Sequence, residues 1–223
     1  MRRILVLSLA VIWISPASAT AQICRGLASF STGPVQVTGE GSLTPESNAI
    51  GAGLGYGLPG GLFGNASIGT RSSDTFRGSS LELGAGAGYD IEVGKFHLCP
   101  GGSVGMGMGP NKPFGSGEDR SSRSAQLGVS VGAIVGASPR WQLVPTLALS
   151  YAYRKDEARD NAGTTLFQIS DHYALAQVGF GLVLHNLTIR PHVELPLSLD
   201  TGGPTVGLTV GYNFGRRANQ QVP

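Results

Sequence analysis

The residues best suited to catalysis are the consecutive Ser170, Asp171 and His172, which supply a nucleophile, an acid and a base. A hydrolytic site needs these groups within hydrogen-bond reach, with the acid orienting the histidine. Neighbouring residues on a strand point to opposite faces, so an extended Asp171 cannot orient His172. The chain contains no H-E-x-x-H zinc motif and no P-loop. We therefore expect a protein that is not an enzyme and that has no metal site and no cofactor.

Two groups of ionisable residues stand near predicted tight turns, on one face of the segments that carry them. They are Asp90, Glu92 and His97, and Arg190, His192 and Glu194. On the inner face of a closed sheet they could filter solutes in a narrow channel. Alternatively, they form a structural network of ion pairs and hydrogen bonds, which charges confined away from bulk water require. We favour the structural network.

The first 21 residues have the three parts of a secretory signal peptide. Arg2 and Arg3 precede an apolar run from Ile4 to Ile14, and A-x-A cleavage sites end at Ala19 and Ala21. The run is shorter than the ~20 residues that a membrane-spanning helix needs. We therefore expect residues 1–21 to be removed on export.

Two cysteines in an exported chain, Cys24 and Cys99, predict one disulfide, with two unrelated thiols as the alternative. Cys24 precedes the first predicted strand, and Cys99 follows the predicted turn at Gly94-Lys95. Both cysteines therefore lie at the same end of the expected sheet, and we expect the bridge to tie the N-terminal segment to the wall at that end or across its mouth.

The dominant pattern is a period of two along nearly the whole chain. Apolar residues alternate with Gly, Ser, Ala and scattered charges in segments 50–58, 81–93, 125–137, 141–153, 174–184 and 187–197. This pattern indicates strands with one apolar face. The side chains of the opposite face are too small to cover the surface of a soluble protein, and the apolar rows contain no Asp, Glu, Lys or Arg. We therefore predict an all-β, closed antiparallel transmembrane β-barrel, since an open sheet would leave backbone groups unpaired in hydrocarbon.

The links between the predicted strands alternate between short turns and longer polar segments, as in outer-membrane barrels. The short turns are Pro59-Gly60-Gly61, Gly94-Lys95, Ser138-Pro139-Arg140 and His185-Asn186, and the longer links are 39–46, 72–78, 110–123, 155–171 and 200–203. With Leu27–Val37 as the first strand, the count is about ten strands, and eight is the alternative. Part of segment 155–171 is a candidate hairpin turning at residues 161–163. Pro145, Pro191 and Pro196 predict local bulges or tilted strand ends.

Aromatic residues cluster at the end of the barrel that carries the short turns. They are Tyr56, Tyr89, Phe96, Trp141, Tyr212 and Phe214. Amphipathic rings favour the headgroup zone of a bilayer, so we expect a lipid-facing aromatic girdle. The expected organisation is a signal peptide over 1–21, a barrel over 22–215 and a periplasmic tail over 216–223.

The segment TVGLTVGYNF at 205–214 resembles the closing strand of bacterial outer-membrane barrels, in which an alternating strand ends in an aromatic residue. The opening CRGLASFSTGPVQV and the later LCPGGSVGMGMGP are similar to a glycine-rich set of small bacterial outer-membrane barrel proteins of about 200 residues. The nine-residue tail after Phe214 departs from the many family members that stop at the aromatic. The resemblance implies the fold, the outer-membrane location and biogenesis by the barrel-assembly machinery.

Charge and composition limit the classes of partner that we expect. The net charge is only +2, and clustered Lys and Arg are missing apart from Arg216 and Arg217, so nucleic acid is not expected. We expect a monomer in contact with outer-membrane lipid and lipopolysaccharide. The expected function is structural, or that of a narrow pore of low specificity. The alternatives are a surface adhesion or interaction protein acting through external loops and, third, a lipid-modifying barrel enzyme.

Overall fold

The computed structural model describes residues 23–27, 34–73, 78–109, 119–138, 141–160, 162–198 and 203–214. The expected signal peptide and the tail after Gly215 lie outside these ranges. A short 3-10 turn, Ile23–Arg25, precedes twelve strand segments. The segments are β1 (Val35–Leu43), β2 (Ser47–Gly57), β3 (Leu62–Ser73), β4 (Gly78–Tyr89), β5 (Ile91–Val93), β6 (Phe96–Met108), β7 (Asp119–Ala133), β8 (Val135–Ser138), β9 (Trp141–Arg159), β10 (Thr165–Leu184), β11 (Leu187–Pro196) and β12 (Thr205–Phe214).

These segments form one closed antiparallel barrel of ten strands, as predicted. Each strand pairs with the next along the chain, and β1 closes the barrel against β12 from Val35–Phe214 to Leu43–Val206. The count is ten because β5 continues β4 and β8 continues β7. No helix in the described part of the chain is long and apolar enough to cross a bilayer.

The apolar rows face outward, as the alternation predicts. Leu54 and Leu147 are more than half exposed, and most of the 36 exposed large hydrophobic side chains among the described residues lie on this surface. On β9 the outward row runs from Trp141 to Tyr153, which is a height of roughly 28–32 Å for strands tilted by ~35–45° with a rise of ~3.3 Å per residue. The inward positions carry mostly small and polar residues, so the usual arrangement of a soluble barrel is inverted.

Three of the four predicted short turns at the lower end lie where the sequence predicts them, and residues 139–140 of the fourth lie outside the described residues. Gly60, Gly61 and Gly94 have positive φ, and so does His185 in the turn before β11. At the upper end, the segment 155–171 forms the predicted hairpin: β9 and β10 stay paired as far as Arg159 and Thr165. The Gly163 amide donates to the Asp160 carbonyl and closes this hairpin.

The first strand is displaced from its predicted position. Leu27–Val37 was expected to be a strand and 39–46 a long link, but β1 spans Val35–Leu43. The actual link is a tight turn, in which the Thr44 hydroxyl oxygen accepts a hydrogen bond from the Ser47 amide at 2.9 Å. The prediction was wrong because Gly39, Glu40 and Gly41 weaken the apolar alternation, while pairing on both sides holds these residues extended.

Prolines within strands interrupt the pairing without shifting it, contrary to the predicted bulges. Pro145 lies opposite the break between β7 and β8, where the pairs Gly132–Thr146 and Val135–Leu143 keep the same register. Pro191 lies in a gap between the pairs Gly179–His192 and Leu182–Ile189. A missing N–H therefore costs local hydrogen bonds and leaves the register intact. Pro196 ends β11, opposite Leu175.

Candidate functional site

The lower half of the lumen is occupied by residues 23–27, which we name the plug. Ile23, Cys24 and Leu27 in the plug are at most 3% exposed. Ile23 packs with Val144 of β9 and Val183 of β10. Hydrophobic residues therefore do face inward where the chain itself enters the barrel, and they form a small core there.

Two glycines in the wall make room for the plug. A Cβ on Gly132 would overlap the Ile23 carbonyl, and a Cβ on Gly181 would overlap the Gly26 carbonyl. Gly26 has a positive φ of 66° and turns the plug beside Arg190 and Thr146. Close backbone contact between plug and wall is the physical reason for glycine at both wall positions.

A disulfide joins the plug to the wall. Cys24 and Cys99 are linked, with their Cα atoms 5.9 Å apart, and both are buried. Phe63 of β3 packs against the bridge. Asp90 lies close to the two sulfur atoms, but disulfide sulfurs are not thiolates and therefore do not make this group a metal site.

The six predicted lumen residues divide into two groups and an outlier. Asp90 and His97 are in contact at 3.2 Å beside the disulfide. Arg190 donates to the side-chain oxygen of Gln177 at 2.6 Å, and Gln177 in turn donates to Glu194. His192 lies 3.9 Å from Glu40 across the closing seam. Glu92 is exposed at the lower turn and joins neither group.

Several partners in these networks were missed by sequence analysis. Arg25 enters the lumen with the plug and lies near Glu40 and Arg190. Gln36 of β1 donates to the side-chain oxygen of Asn213 of β12 at 2.7 Å, and both residues are fully buried. The inward parity of Gln36 could have been identified only with the correct bounds of β1. The other contacts join strands that are distant in sequence and left no local signal.

Above the plug the lumen opens into a polar vestibule of about 610 Å³. Its wall consists largely of inward Gly, Ala and Ser positions of β2–β9. Ion pairs cross its upper part, with Arg71 held by Glu82 at 2.7 Å and Arg154 held by Asp156 at 2.8 Å. The charges that line this part are therefore largely paired with one another.

The six predicted girdle residues all lie near the lower end of the barrel. Tyr56, Phe96, Trp141, Tyr212 and Phe214 are 43–59% exposed on the outer surface, and Tyr89 is half-buried. Tyr212 and Phe214 contact edge to face at 4.7 Å. At the upper end His172 faces outward and packs against Tyr153 and Tyr151, with ring centroids 4.8 and 6.0 Å apart.

The candidate catalytic residues are not assembled into a site. Asp171 is paired with the inward Arg154, whereas His172 is paired with the outward Tyr153. The chain also contains Gly101-Gly102-Ser103-Val104-Gly105, which matches the G-x-S-x-G string. Ser103 lies within the flat strand β6, not on the sharp strand-to-helix turn that exposes such a nucleophile. His97 is six residues away on the same face, or roughly 20 Å along the strand.

The hairpin above the apolar rows carries a dense set of charges. Glu157 binds Lys155 at 3.3 Å and also binds Arg159. The hydrogen bond from Arg159 and the nearby Lys155 ammonium lower the pKa of the Glu157 carboxyl from its usual value. This carboxylate therefore stays ionised at any pH near neutrality.

No protein-family model and no curated protein matches the chain. Among solved structures, it is similar to the translocator domain of the autotransporter NalP from Neisseria meningitidis. The two are 15% identical with a TM-score of 0.50, over 81% of this chain and 87% of that one. The β domain of the Bordetella autotransporter BrkA is 10% identical, with a TM-score of 0.45, over 81% and 98% of the two chains. The N-terminal barrel domain of OprF from Pseudomonas aeruginosa is 16% identical, with a TM-score of 0.33, over 81% and 96%. At these identities the likeness concerns the fold alone.

Proposed function

We propose that this chain is an integral outer-membrane β-barrel with a structural role, whose lumen is a vestibule closed at the periplasmic end by the plug. The observation that carries the proposal is the inverted surface: every strand presents apolar residues outward, while the lumen is polar and its lower end is filled. A closed sheet of this kind satisfies its backbone within hydrocarbon. The short turns with their aromatic residues face the periplasm in this proposal, and the β9–β10 hairpin faces outward.

Export by a cleaved signal peptide over 1–21, assembly by the barrel-assembly machinery and contact with lipopolysaccharide complete the proposal. The first test is the location of the full chain expressed in a Gram-negative host. We expect it in the outer-membrane fraction, with a band on gels that shifts only after boiling. A protein that stays soluble in the periplasm without detergent would contradict the proposal.

Conductance with the plug attached to the wall and with the plug released tests whether the barrel is closed or is a narrow pore of low specificity. We expect small or absent conductance steps for the oxidised protein in planar bilayers. The double variant Cys24→Ser/Cys99→Ser, which frees the plug from the wall, should give larger and more frequent steps. Reduction of the native protein should reproduce the effect. Stable steps of equal size in all three samples would show that residues 23–27 do not close the lumen.

A second candidate function is surface interaction, which the long β9–β10 hairpin favours. This hairpin continues three outward rows beyond Tyr153, to the pair Arg159–Thr165. A variant in which residues 157–168 are replaced by a two-residue turn should keep the heat-shifted band. If it loses binding to host cells or to an immobilised ligand that the native protein binds, interaction is the main function. Equal behaviour of the two proteins would leave the structural role as the better account.

A further inference from the structure

The outer wall of the barrel contains a groove on the seam between β7 and β9. Leu127, Val129, Leu149 and Tyr151 line it, and none of its nine lining residues is charged. The small side chain of Ala174, which is paired with the outward Tyr151, leaves room beside it. Its apolar lining suits a hydrocarbon chain that lies against the barrel wall.

Two cations stand directly above this groove. Arg123 and Lys155 are paired across the same seam, two outward rows above the pair Leu127–Tyr151. Four residues along a strand correspond to about 13 Å. Arg123 is exposed and makes no hydrogen bond or ion pair with any described residue, whereas Lys155 contacts Glu157 on its upper side.

Outward-facing charge on the upper parts of the described strands is confined to this part of the circumference. Among the described strand residues of the upper half, the outward-facing charged side chains are Asp119, Arg123, Lys155, Glu157 and Arg159. The sum is one positive charge, and the row nearest the apolar surface contains the two cations alone. Outward positions near the upper ends of other strands are uncharged, for example Leu43, Met108 and Val206.

Three amphipathic rings lie between the groove and the cations, those of Tyr151, Tyr153 and His172. Tyr153 and His172 form the outward row just below Arg123 and Lys155 and pack against each other. Tyrosine and histidine rings with a polar edge are suited to the boundary between hydrocarbon and headgroups. The order along the seam is therefore apolar groove, amphipathic rings and then cations.

We propose that this seam is a binding site for a lipid that carries a phosphate monoester, with one acyl chain in the groove and the phosphate between Arg123 and Lys155. The inference rests on the proposed function, because the seam meets the outer leaflet only if the barrel spans the membrane in the stated orientation. An arginine with free donors offers a bidentate contact to phosphate oxygens, and the lysine adds a second charge.

The probe for this site is dioleoyl phosphatidic acid, added to the detergent-purified native barrel and counted as bound lipid by native mass spectrometry. We expect one tightly bound molecule per barrel. Binding should weaken roughly 30-fold in Arg123→Gln/Lys155→Gln, since each cation contributes about a factor of five. The control Lys95→Gln removes a cation at the opposite end of the barrel and should bind as the native protein does.

Two further experiments test whether free phosphate can replace the lipid and whether the groove contributes to binding. Inorganic phosphate and dioleoylglycerol, each at the concentration of the lipid, should fail to displace it. Ala174→Phe, which fills the groove, should weaken binding, whereas Ala85→Phe on the outward face of β4 should not. Equal binding by native protein and the double glutamine variant would overturn the proposal, and so would full displacement by inorganic phosphate. Because every variant must still show the heat-shifted band, failure of the site is distinguishable from failure of the barrel itself.

Discussion

Two glycines in the barrel wall allow the plug to lie against it, because the absence of a Cβ atom leaves room for carbonyl groups of the plug. Gly132 and Gly181 are inward positions on different strands, and each contacts a different carbonyl of the plug. Because glycine is abundant along the chain, these two positions could not be distinguished from the other glycines by sequence alone. The distinction lies in a neighbour more than 100 residues away in the chain, so only the folded structure reveals it.

We predict that Gly132→Val displaces the plug and lowers the stability of the barrel by about 1–3 kcal/mol, as overpacking of a filled interior does. The measurement is the urea midpoint of the heat-shifted band, together with bilayer conductance, which should rise. Gly39→Val is the matched control, because nothing lies within 4 Å of a Cβ at this outward position. If the control and Gly132→Val behave alike, the close contact has no structural role.

At the scale of the strands, alternation was sufficient to predict the faces, the count of ten and most turns. It failed where the local pattern is interrupted. Segment 39–46 was assigned to a link because two glycines flank Glu40, although pairing with β2 and β12 keeps those residues in β1. At Pro145 and Pro191 the sequence predicted a local disturbance but not its form, because the neighbouring strands determine whether a strand bulges or only loses local pairs.

The seam between the first and last strands contains a buried side-chain hydrogen bond, from Gln36 to Asn213. We predict that Asn213→Leu destabilises the barrel by about 1–3 kcal/mol, because it leaves the Gln36 amide buried with its partner removed. Replacing both residues, as Gln36→Met/Asn213→Leu, should recover much of the loss. Urea unfolding of the three proteins in the same detergent measures this. A double variant that is less stable than Asn213→Leu alone would contradict the pairing.

For the molecule as a whole, the alternation predicted the inversion and the two cysteines predicted the disulfide. The contacts of the plug within the lumen and the vestibule above it needed the fold. The inward networks join β1 to β11 and β10 to β11, and the plug to both β6 and β9. These contacts join residues that are far apart in the chain, and no periodic pattern in the sequence indicates them. The candidate site is therefore less predictable than the barrel, because alternation reports a face and says nothing about which residues meet across the lumen.

The inversion itself is tested by adjacent residues of β9 that point to opposite sides of its wall. Leu147 lies midway along the outward row and is 57% exposed, whereas Ala148 lines the vestibule. Leu147→Arg should lower stability by about 2–4 kcal/mol and reduce the yield of the heat-shifted band, because it places a charge at the middle of the bilayer. Ala148→Arg should be tolerated, since the vestibule offers water and nearby polar groups. In a soluble barrel with an apolar interior the order of the two effects would be reversed, so this pair of variants decides between a wall that faces lipid and one that faces water.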